Sequence, residues 1–180
     1  HEGVPGHHFQ IASNVAMTEE LSRFQRLIAG TSGHAEGWAL YAERLMGELG
    51  YLEIPDYYMG MLDAQALRSV RVIVDIGMHL GPKIPNHSAF SAGEVWNGDL
   101  ALEFMRKNVH FPSDFLVSEV DRYLGIPGQA ISYKVGERVW LEARSSAKQR
   151  LGSGFDLKTW HNRALRLGPM GLAQMKRELE

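Results

Sequence analysis

The sequence contains no cysteine, no long apolar run and no excess of basic residues, and each absence excludes a class of protein. Without cysteine, disulfides and thiolate metal sites are excluded, so any metal must be held by histidine and carboxylate. No run of about eighteen apolar residues is present, which excludes a membrane-spanning helix. The formal net charge of −2 argues against a general nucleic-acid-binding protein. The lack of cysteine is compatible with both the cytosol and the periplasm, so the sequence does not determine the localisation.

What is present indicates a globular helical protein. The 180 residues are 44% hydrophobic and 22% charged, which is ordinary for one domain with a hydrophobic core. Apolar residues recur at helical spacing along most of the chain, and no segment shows the alternation typical of a strand. We predict an all-α fold, a packed array of about seven or eight helices, in a single domain over 1–180.

Glycine- and proline-rich breaks separate the predicted helices. The clearest breaks are at 30–33, 81–86 and 125–128. The helices are predicted over 9–28, 35–49, 54–79, 91–108, 112–123, 129–151, 155–167 and 170–179.

The chain opens with HEGVPGHH, which resembles the zinc-binding motif HExxH except in its spacing. In HExxH, two histidines four residues apart share one helix face and bind one zinc ion, and the glutamate acts as general base. Here the histidines that follow His1 lie at i+6 and i+7. On an ideal helix the i+6 side chain points to another face. The i+7 side chain lies about 10 Å along the axis, which is too far for one zinc ion.

A two-residue distortion at the Pro-Gly pair of this segment would restore the spacing, because proline and glycine are typical of such distortions. If the pair bulges out of the helix, His7 takes the place of the residue at i+4. We therefore predict His1 and His7 as zinc ligands and Glu2 as general base, with His8 as the alternative second histidine. A chance cluster or a tag remnant is the other interpretation, but tags rarely carry Glu-x-x-Pro-Gly between their histidines.

A catalytic zinc site needs a third protein ligand and an open position. The best candidate is Glu36, in the segment HAEGWALYAE, because a single short loop joins its helix to the first one and the two helices can pack antiparallel. Glu43 lies at i+7 on roughly the same face and could orient a histidine ligand. Both residues could instead be solvent-facing helix charges.

The combination of HExxPGH with EGWAxYxE resembles a bacterial family known as domain of unknown function 885, related to the helical gluzincin peptidases. Two further segments match the family, RVIVDIGMH at 71–79 and PGQAISYKVG at 127–136. The resemblance spans nearly the whole chain, but only the C-terminal part of longer family members. It implies zinc at His1, His7 and Glu36, with Glu2 as base.

Helical gluzincins use a tyrosine or a histidine to stabilise the oxyanion that forms when water attacks a carbonyl. The resemblance therefore supports Tyr133 in this role, with His79 and His161 as competitors. Gln129 could line the same wall of the site. A tyrosine in the core without a catalytic role is the alternative interpretation of Tyr133.

Arg71, Asp75 and His79 fall at i, i+4 and i+8 of one predicted helix and therefore share a face. They could line the cleft, with Asp75 supporting a ligand or Arg71, and with His79 contacting substrate. An ordinary surface ladder of salt bridges is the alternative.

These features predict a zinc-dependent hydrolase, most simply a metallopeptidase acting on a peptide substrate. The alternatives are a zinc esterase or amidase, and a metal-free helical interaction fragment. Since the chain begins at His1 without a methionine, we expect it to derive from a longer product. We further expect self-association, or pairing with a missing N-terminal region.

Overall fold

The computed structural model describes residues 1–180, and every regular element in it is a helix, which confirms the all-α prediction. The nine α-helices are α1 (His7–Ala16), α2 (Arg23–Leu27), α3 (Ser32–Glu48), α4 (Pro55–Leu80), α5 (Gly98–Asn108), α6 (Ser113–Gly125), α7 (Ser132–Leu151), α8 (Leu157–Arg166) and α9 (Leu172–Leu179). A 3-10 turn, Gly152–Gly154, follows α7. No helix combines the length and the hydropathy needed to cross a membrane.

The first predicted helix, 9–28, is two helices in the structure. A capping box begins α2: the Ser22 side chain accepts a hydrogen bond from the Gln25 backbone N–H, and the Gln25 side chain bonds back to Ser22. This reciprocal pair satisfies the backbone donors of a new N-terminus. The chain between α1 and α2 is therefore not helical, although its apolar residues keep helical spacing.

The start predicted for the helix over 91–108 was also wrong. Ser91 has a φ of 41°, in the left-handed region, and the backbone from 81 to 97 forms a loop with one isolated bridge between Lys83 and Val95. Helix α5 begins only after Asn97, whose side chain accepts a hydrogen bond from Leu100 N–H. The Asn97 cap determines where α5 begins, and hydrophobic periodicity alone does not predict this position.

The chain divides into two compact units, one formed by 1–51 with 132–180 and the other by 52–131. In the first unit, α3 and α7 pack against each other, and α1, α8 and α9 pack around this pair. Its core is rich in aromatic residues, with Trp38, Tyr41 and Trp140 almost completely buried. Trp160 is also buried in this core.

Two glycines permit the close approach of α3 and α7. A Cβ built on Gly37 would lie 2.5 Å from the Gly136 backbone, and a Cβ on Gly136 would lie 2.1 Å from Gly33 O. No larger residue fits at either position without moving the backbone. The contact brings the start of α7, and therefore Tyr133, next to the first turns of α3.

The second unit consists of α4, α5 and α6 packed around an aliphatic core that includes Leu67, Val74 and Met105. A buried polar network lies beside this core: Arg71 donates to Glu119 and to the Tyr123 hydroxyl, which in turn donates to Glu119. Burial alone would raise the pKa of Glu119. Hydrogen bonds from Arg122 and Tyr123, together with Arg71, outweigh burial and lower the pKa to about 2.

Candidate metal centre

The first six residues form a loop whose hydrogen bonds continue the register of α1. His7 N–H donates to His1 O at 2.8 Å and His8 N–H donates to Glu2 O at 2.9 Å, each spanning six residues. From Gln10 N–H to Gly6 O the bond spans the normal four residues. The hydrogen bonds to His1 and Glu2 therefore span two residues more than a normal helical bond, which is the two-residue insertion that the motif spacing predicts. Gly3 O accepts a hydrogen bond from Phe9 N–H, and Gly6 O accepts one from Gln10 N–H, the next residue. The inserted residues are therefore the two between these acceptors, Val4 and Pro5. The predicted insertion was one position later, at Pro5 and Gly6.

Gly6 and Trp38 hold this loop in place. A Cβ on Gly6 would lie 1.6 Å from His1 O, so no side chain fits at this position while the loop keeps its shape. The Trp38 indole N–H donates to Pro5 O at 2.8 Å and lies 3.3 Å from Gly6 O. The buried tryptophan of α3 thus fixes the loop that carries His1. A single sequence gives no sign of this bond from Trp38 to the backbone of a distant segment.

His1, His7 and Glu36 come together, with their potential ligand atoms all within 4.8 Å of one another. His7 Nε2 lies 3.1 Å from Glu36 Oε2, and His1 Nε2 lies 3.5 Å from the same oxygen. Two ligand atoms bound tetrahedrally at usual zinc distances are about 3.3 Å apart. Two histidines and a carboxylate are a standard ligand set of catalytic zinc sites. The donor set therefore fits zinc, and the two distances to Glu36 Oε2 are close to this value.

Glu43 fixes the orientation of the His1 ring. His1 Nδ1 lies 2.7 Å from Glu43 Oε1, which is a strong hydrogen bond on the side of the ring opposite Nε2. A carboxylate can only accept, so Nδ1 carries a ring proton, and Nε2, on the side of Glu36, is the ring nitrogen that remains for a metal ion. A carboxylate behind a ligand histidine is the usual support of a metal site. Glu43 lies where the sequence analysis predicted such a residue.

Tyr133 lies against His1 and Glu36 of this cluster. Its ring stacks on the His1 ring, with centroids 5.9 Å apart. Burial alone would raise the pKa of Glu36. Hydrogen bonds from His1, His7 and Tyr133 outweigh burial and lower the pKa to about 2, so the carboxylate is ionised, as a metal ligand must be. The phenol is thus within hydrogen-bond distance of the cluster.

Glu2 and His8 lie on the solvent side of this region. Both are exposed, and His8 is not part of the cluster that His1 and His7 form with Glu36. Of the two histidines considered for the second ligand position, the geometry therefore favours His7. The Glu2 side chain makes no hydrogen bond or ion pair within the chain and is accessible to water.

His161, a competitor for the oxyanion role, lies in an aromatic environment on α8. Its Nε2 is 2.6 Å from the Tyr41 hydroxyl, and its ring contacts Trp38 edge-on. Burial, with a smaller effect of Arg144, lowers the pKa of His161 to about 4. The His161 ring is therefore neutral, and its Nε2 is hydrogen-bonded to the Tyr41 hydroxyl.

The other residues predicted for the site belong to the second compact unit. Arg71 and Asp75 are buried, which excludes the surface ladder considered above. His79 Nδ1 lies 2.9 Å from Asp75 O and 3.2 Å from Asp75 Oδ1, and Asp75 Oδ2 accepts from Gly128 N–H at 3.0 Å. Gln129 accepts from Arg122 at 2.8 Å. Asp75 therefore anchors the turn before α7, and the contact of His79 with substrate stays a prediction.

The family profile described as bacterial protein of unknown function (DUF885) matches residues 1–179. The chain belongs to this family. Its fold is similar to that of a candidate lipoprotein from Colwellia psychrerythraea, with a TM-score of 0.85 and 35% identity over 98% of this chain. It is also similar to a candidate lipoprotein of unknown function from Shewanella oneidensis, with a TM-score of 0.79 and 24% identity over 97% of this chain. The chain covers only 28% and 29% of those two proteins. No curated protein matches the chain.

Proposed function

We propose that this DUF885 chain carries the zinc-binding part of a metallohydrolase, most simply a peptidase related to the helical gluzincins. The observation that carries the proposal is the convergence of His1, His7 and Glu36, with their ligand atoms within 4.8 Å of one another. The bond from Glu43 to the far side of His1 strengthens the proposal, since it occupies Nδ1 and leaves Nε2, on the side of Glu36, as the ring nitrogen for a metal ion.

Each residue of the centre has a distinct task in this proposal. A zinc ion held by His1, His7 and Glu36 would acidify a water molecule and polarise a carbonyl group. Glu2, next to His1 and free of partners, accepts the proton of the attacking water and passes it to the leaving amine. Tyr133, stacked on His1, donates a hydrogen bond to the oxyanion of the tetrahedral intermediate. Glu43 keeps the His1 ring in its ligand orientation.

Metal analysis of the purified chain and assays of peptide turnover test the proposal together. We expect about one zinc ion per chain after dialysis against zinc. We also expect hydrolysis of a mixed peptide library that stops with a chelator and returns when zinc is added. Absence of stoichiometric metal under these conditions would reject the metal site. If zinc binds but only ester substrates are cleaved, the chain is an esterase and the peptidase assignment is wrong.

A further inference from the structure

One face of α4 exposes apolar side chains over most of the length of the helix. Seven residues form this face, with spacings that alternate between three and four: Met59, Leu62, Ala66, Ser69, Ile73, Ile76 and Leu80. Five of them are large and exposed, from 41% for Ile76 to 76% for Leu80. The Ser69 hydroxyl donates to Gln65 O at 2.9 Å, so the one polar member is satisfied within the helix. We call these seven residues the α4 seam.

The spacing of the α4 seam indicates that an α-helix is the structure that fits it. Positions that alternate by three and four residues are the a and d positions of a heptad repeat, which face a second helix in coiled coils. The seam spans three heptads, or about 32 Å along the helix axis. An extended strand would match every second residue instead, and a small ligand would contact only a few of the seven.

The helices that α4 packs against in its own unit lie on its other face. Leu67, Val70 and Val74 are buried there, in the core shared with α5 and α6. On the seam side, Met59, Leu62 and Ala66 line a groove of about 410 Å³, together with Asp63, Asn108 and His110. The small Ala66 lies between two larger residues of the seam. The groove is therefore a hole of the kind that receives a large side chain from a packed helix.

The charges beside the seam favour a basic helix over a second copy of this chain. Asp56 and Asp63 lie seven residues apart at the flanking e position, and Asp63 Oδ1 is 3.5 Å from Nδ1 of the exposed His110. Two copies of α4 would offer these aspartates no lysine or arginine, because the other e residues are Val70 and Gly77. The residues at the g position are Tyr58, Gln65, Val72 and His79. A helix with basic flanking residues would pair with both aspartates.

We propose that the α4 seam binds an amphipathic helix with apolar a and d positions and basic flanking residues, and that this helix belongs to the further chain of longer family members. The chain covers only 28% and 29% of two proteins with a similar fold, so most of each relative lies outside the matched part. That further chain is long enough to supply three heptads. The surface belongs to the second compact unit, and its role does not depend on the proposed hydrolase activity.

A synthetic peptide of three heptads is the probe, with leucine at a and d, lysine at e and g, and a fluorescent label. When it is titrated with the purified chain, its fluorescence anisotropy should rise to saturation, with a dissociation constant on the order of 10 μM. A peptide of the same composition whose leucines no longer share one helix face should not bind. A peptide with glutamate in place of lysine should bind several-fold more weakly. In Asp56→Asn/Asp63→Asn, the lysine peptide should lose this advantage.

Two double variants test whether the peptide lies on the seam. Ile73→Lys/Ile76→Lys places two charges in the seam and should weaken binding of the lysine peptide at least tenfold. Val117→Lys/Leu124→Lys adds the same charges at exposed positions of α6 and should leave binding unchanged. Circular dichroism checks that both variants are folded. If the seam variant does not fold, Leu80→Lys, at the most exposed position of the seam, replaces it, with Leu124→Lys as its control.

Light scattering distinguishes the proposed helix from a second copy of the chain. The mass of Ile73→Lys/Ile76→Lys should equal that of the wild type, whereas a fall from a dimer to a monomer would assign the seam to a second copy and overturn the proposal. The proposal is also overturned if the lysine peptide does not bind, or if the rearranged peptide binds as tightly. Equal affinity of the wild type and the folded seam variant would show that the peptide binds elsewhere. Tighter binding of the glutamate peptide would reject the basic flank.

Discussion

Glu2 is exposed, whereas the three residues proposed as zinc ligands, His1, His7 and Glu36, are partly buried, and this difference defines the role expected of Glu2. Since Glu2 is not part of the ligand cluster, Glu2→Gln should keep zinc content near that of the wild type. The amide cannot accept a proton, so turnover should fall by at least about 100-fold. Zinc content and kcat measured on the same preparation check both parts.

Glu53→Gln provides the control for this prediction, because Glu53 is another exposed glutamate without a bond to the chain. We expect its turnover to equal that of the wild type. Activity retained in Glu2→Gln, with zinc present, would remove Glu2 from the role of general base.

Glu36 and Glu43 should differ in their effect on metal binding, although both contact the His1 ring. Glu36→Ala removes a ligand atom and should abolish zinc binding together with activity. Glu43→Ala removes only the bond to His1 Nδ1, so zinc affinity should fall about 10–100-fold. Titration with zinc in competition with a chromogenic chelator measures both affinities. Equal occupancy in the wild type and Glu36→Ala would show that Glu36 is not a ligand.

Much of the site could be predicted from the sequence because its residues lie in two short motifs. The spacing of His1 and His7 required an insertion, and the i+7 spacing of Glu36 and Glu43 placed both on one helix face. The exact inserted residues could not be predicted, since only backbone hydrogen bonds distinguish Val4–Pro5 from the next pair. The hydrogen bond from Trp38 to this loop could not be predicted either, because it joins segments that are distant in the sequence.

At the scale of elements, the N-terminal loop depends on one glycine. A Cβ on Gly6 would lie 1.6 Å from His1 O, whereas a Cβ on Gly3 meets nothing within 4 Å. Gly6→Ala must therefore displace His1 from Glu36. We expect at least tenfold weaker zinc binding and a loss of about 1–3 kcal/mol in the free energy of unfolding.

Gly3→Ala is the matched control and should change neither quantity much, because it adds the same methyl group to the same loop without a clash. Chemical denaturation and zinc titration of both variants measure the two effects. If both variants bind zinc as tightly as the wild type, the position of His1 does not depend on the packing of Gly6.

The positions at which helices begin and end are the part of the fold that hydrophobic periodicity alone does not predict. Periodicity alone predicted one helix over 9–28, yet the Ser22–Gln25 capping box divides it. That box is visible in the sequence as a serine followed three residues later by glutamine. The late start of α5 depends in the same way on Asn97. Local capping chemistry, given its proper weight, would have corrected both boundaries. The packing of Gly37 on Gly136 needed the three-dimensional structure.

At the scale of the whole molecule, the chain spans less than a third of its two structural relatives, and part of its surface is apolar. In the first unit, α1 exposes Ile11 and α2 with its cap exposes Phe24, Leu27 and Ile28, the last of which is 77% exposed. Neighbouring exposed apolar side chains of this size are typical of surfaces covered by another polypeptide. The two longer relatives contain further chain that could cover such a surface.

For the isolated chain, we expect a second copy to cover this apolar surface of α1 and α2. Light scattering should then give a mass of at least twice the monomer mass of 20.2 kDa. Replacing Leu27 and Ile28 with serine should return the mass to that of the monomer. Leu80→Ser, at another exposed leucine, should leave it unchanged. For the protein as purified, before any zinc is added, we also expect incomplete zinc occupancy and weak peptide turnover, because the chain covers only 28% and 29% of its two relatives and further chain in them could complete the site. A wild type that is monomeric and that, as purified, has full zinc occupancy and rapid peptide turnover would contradict both the self-association and the need for further chain.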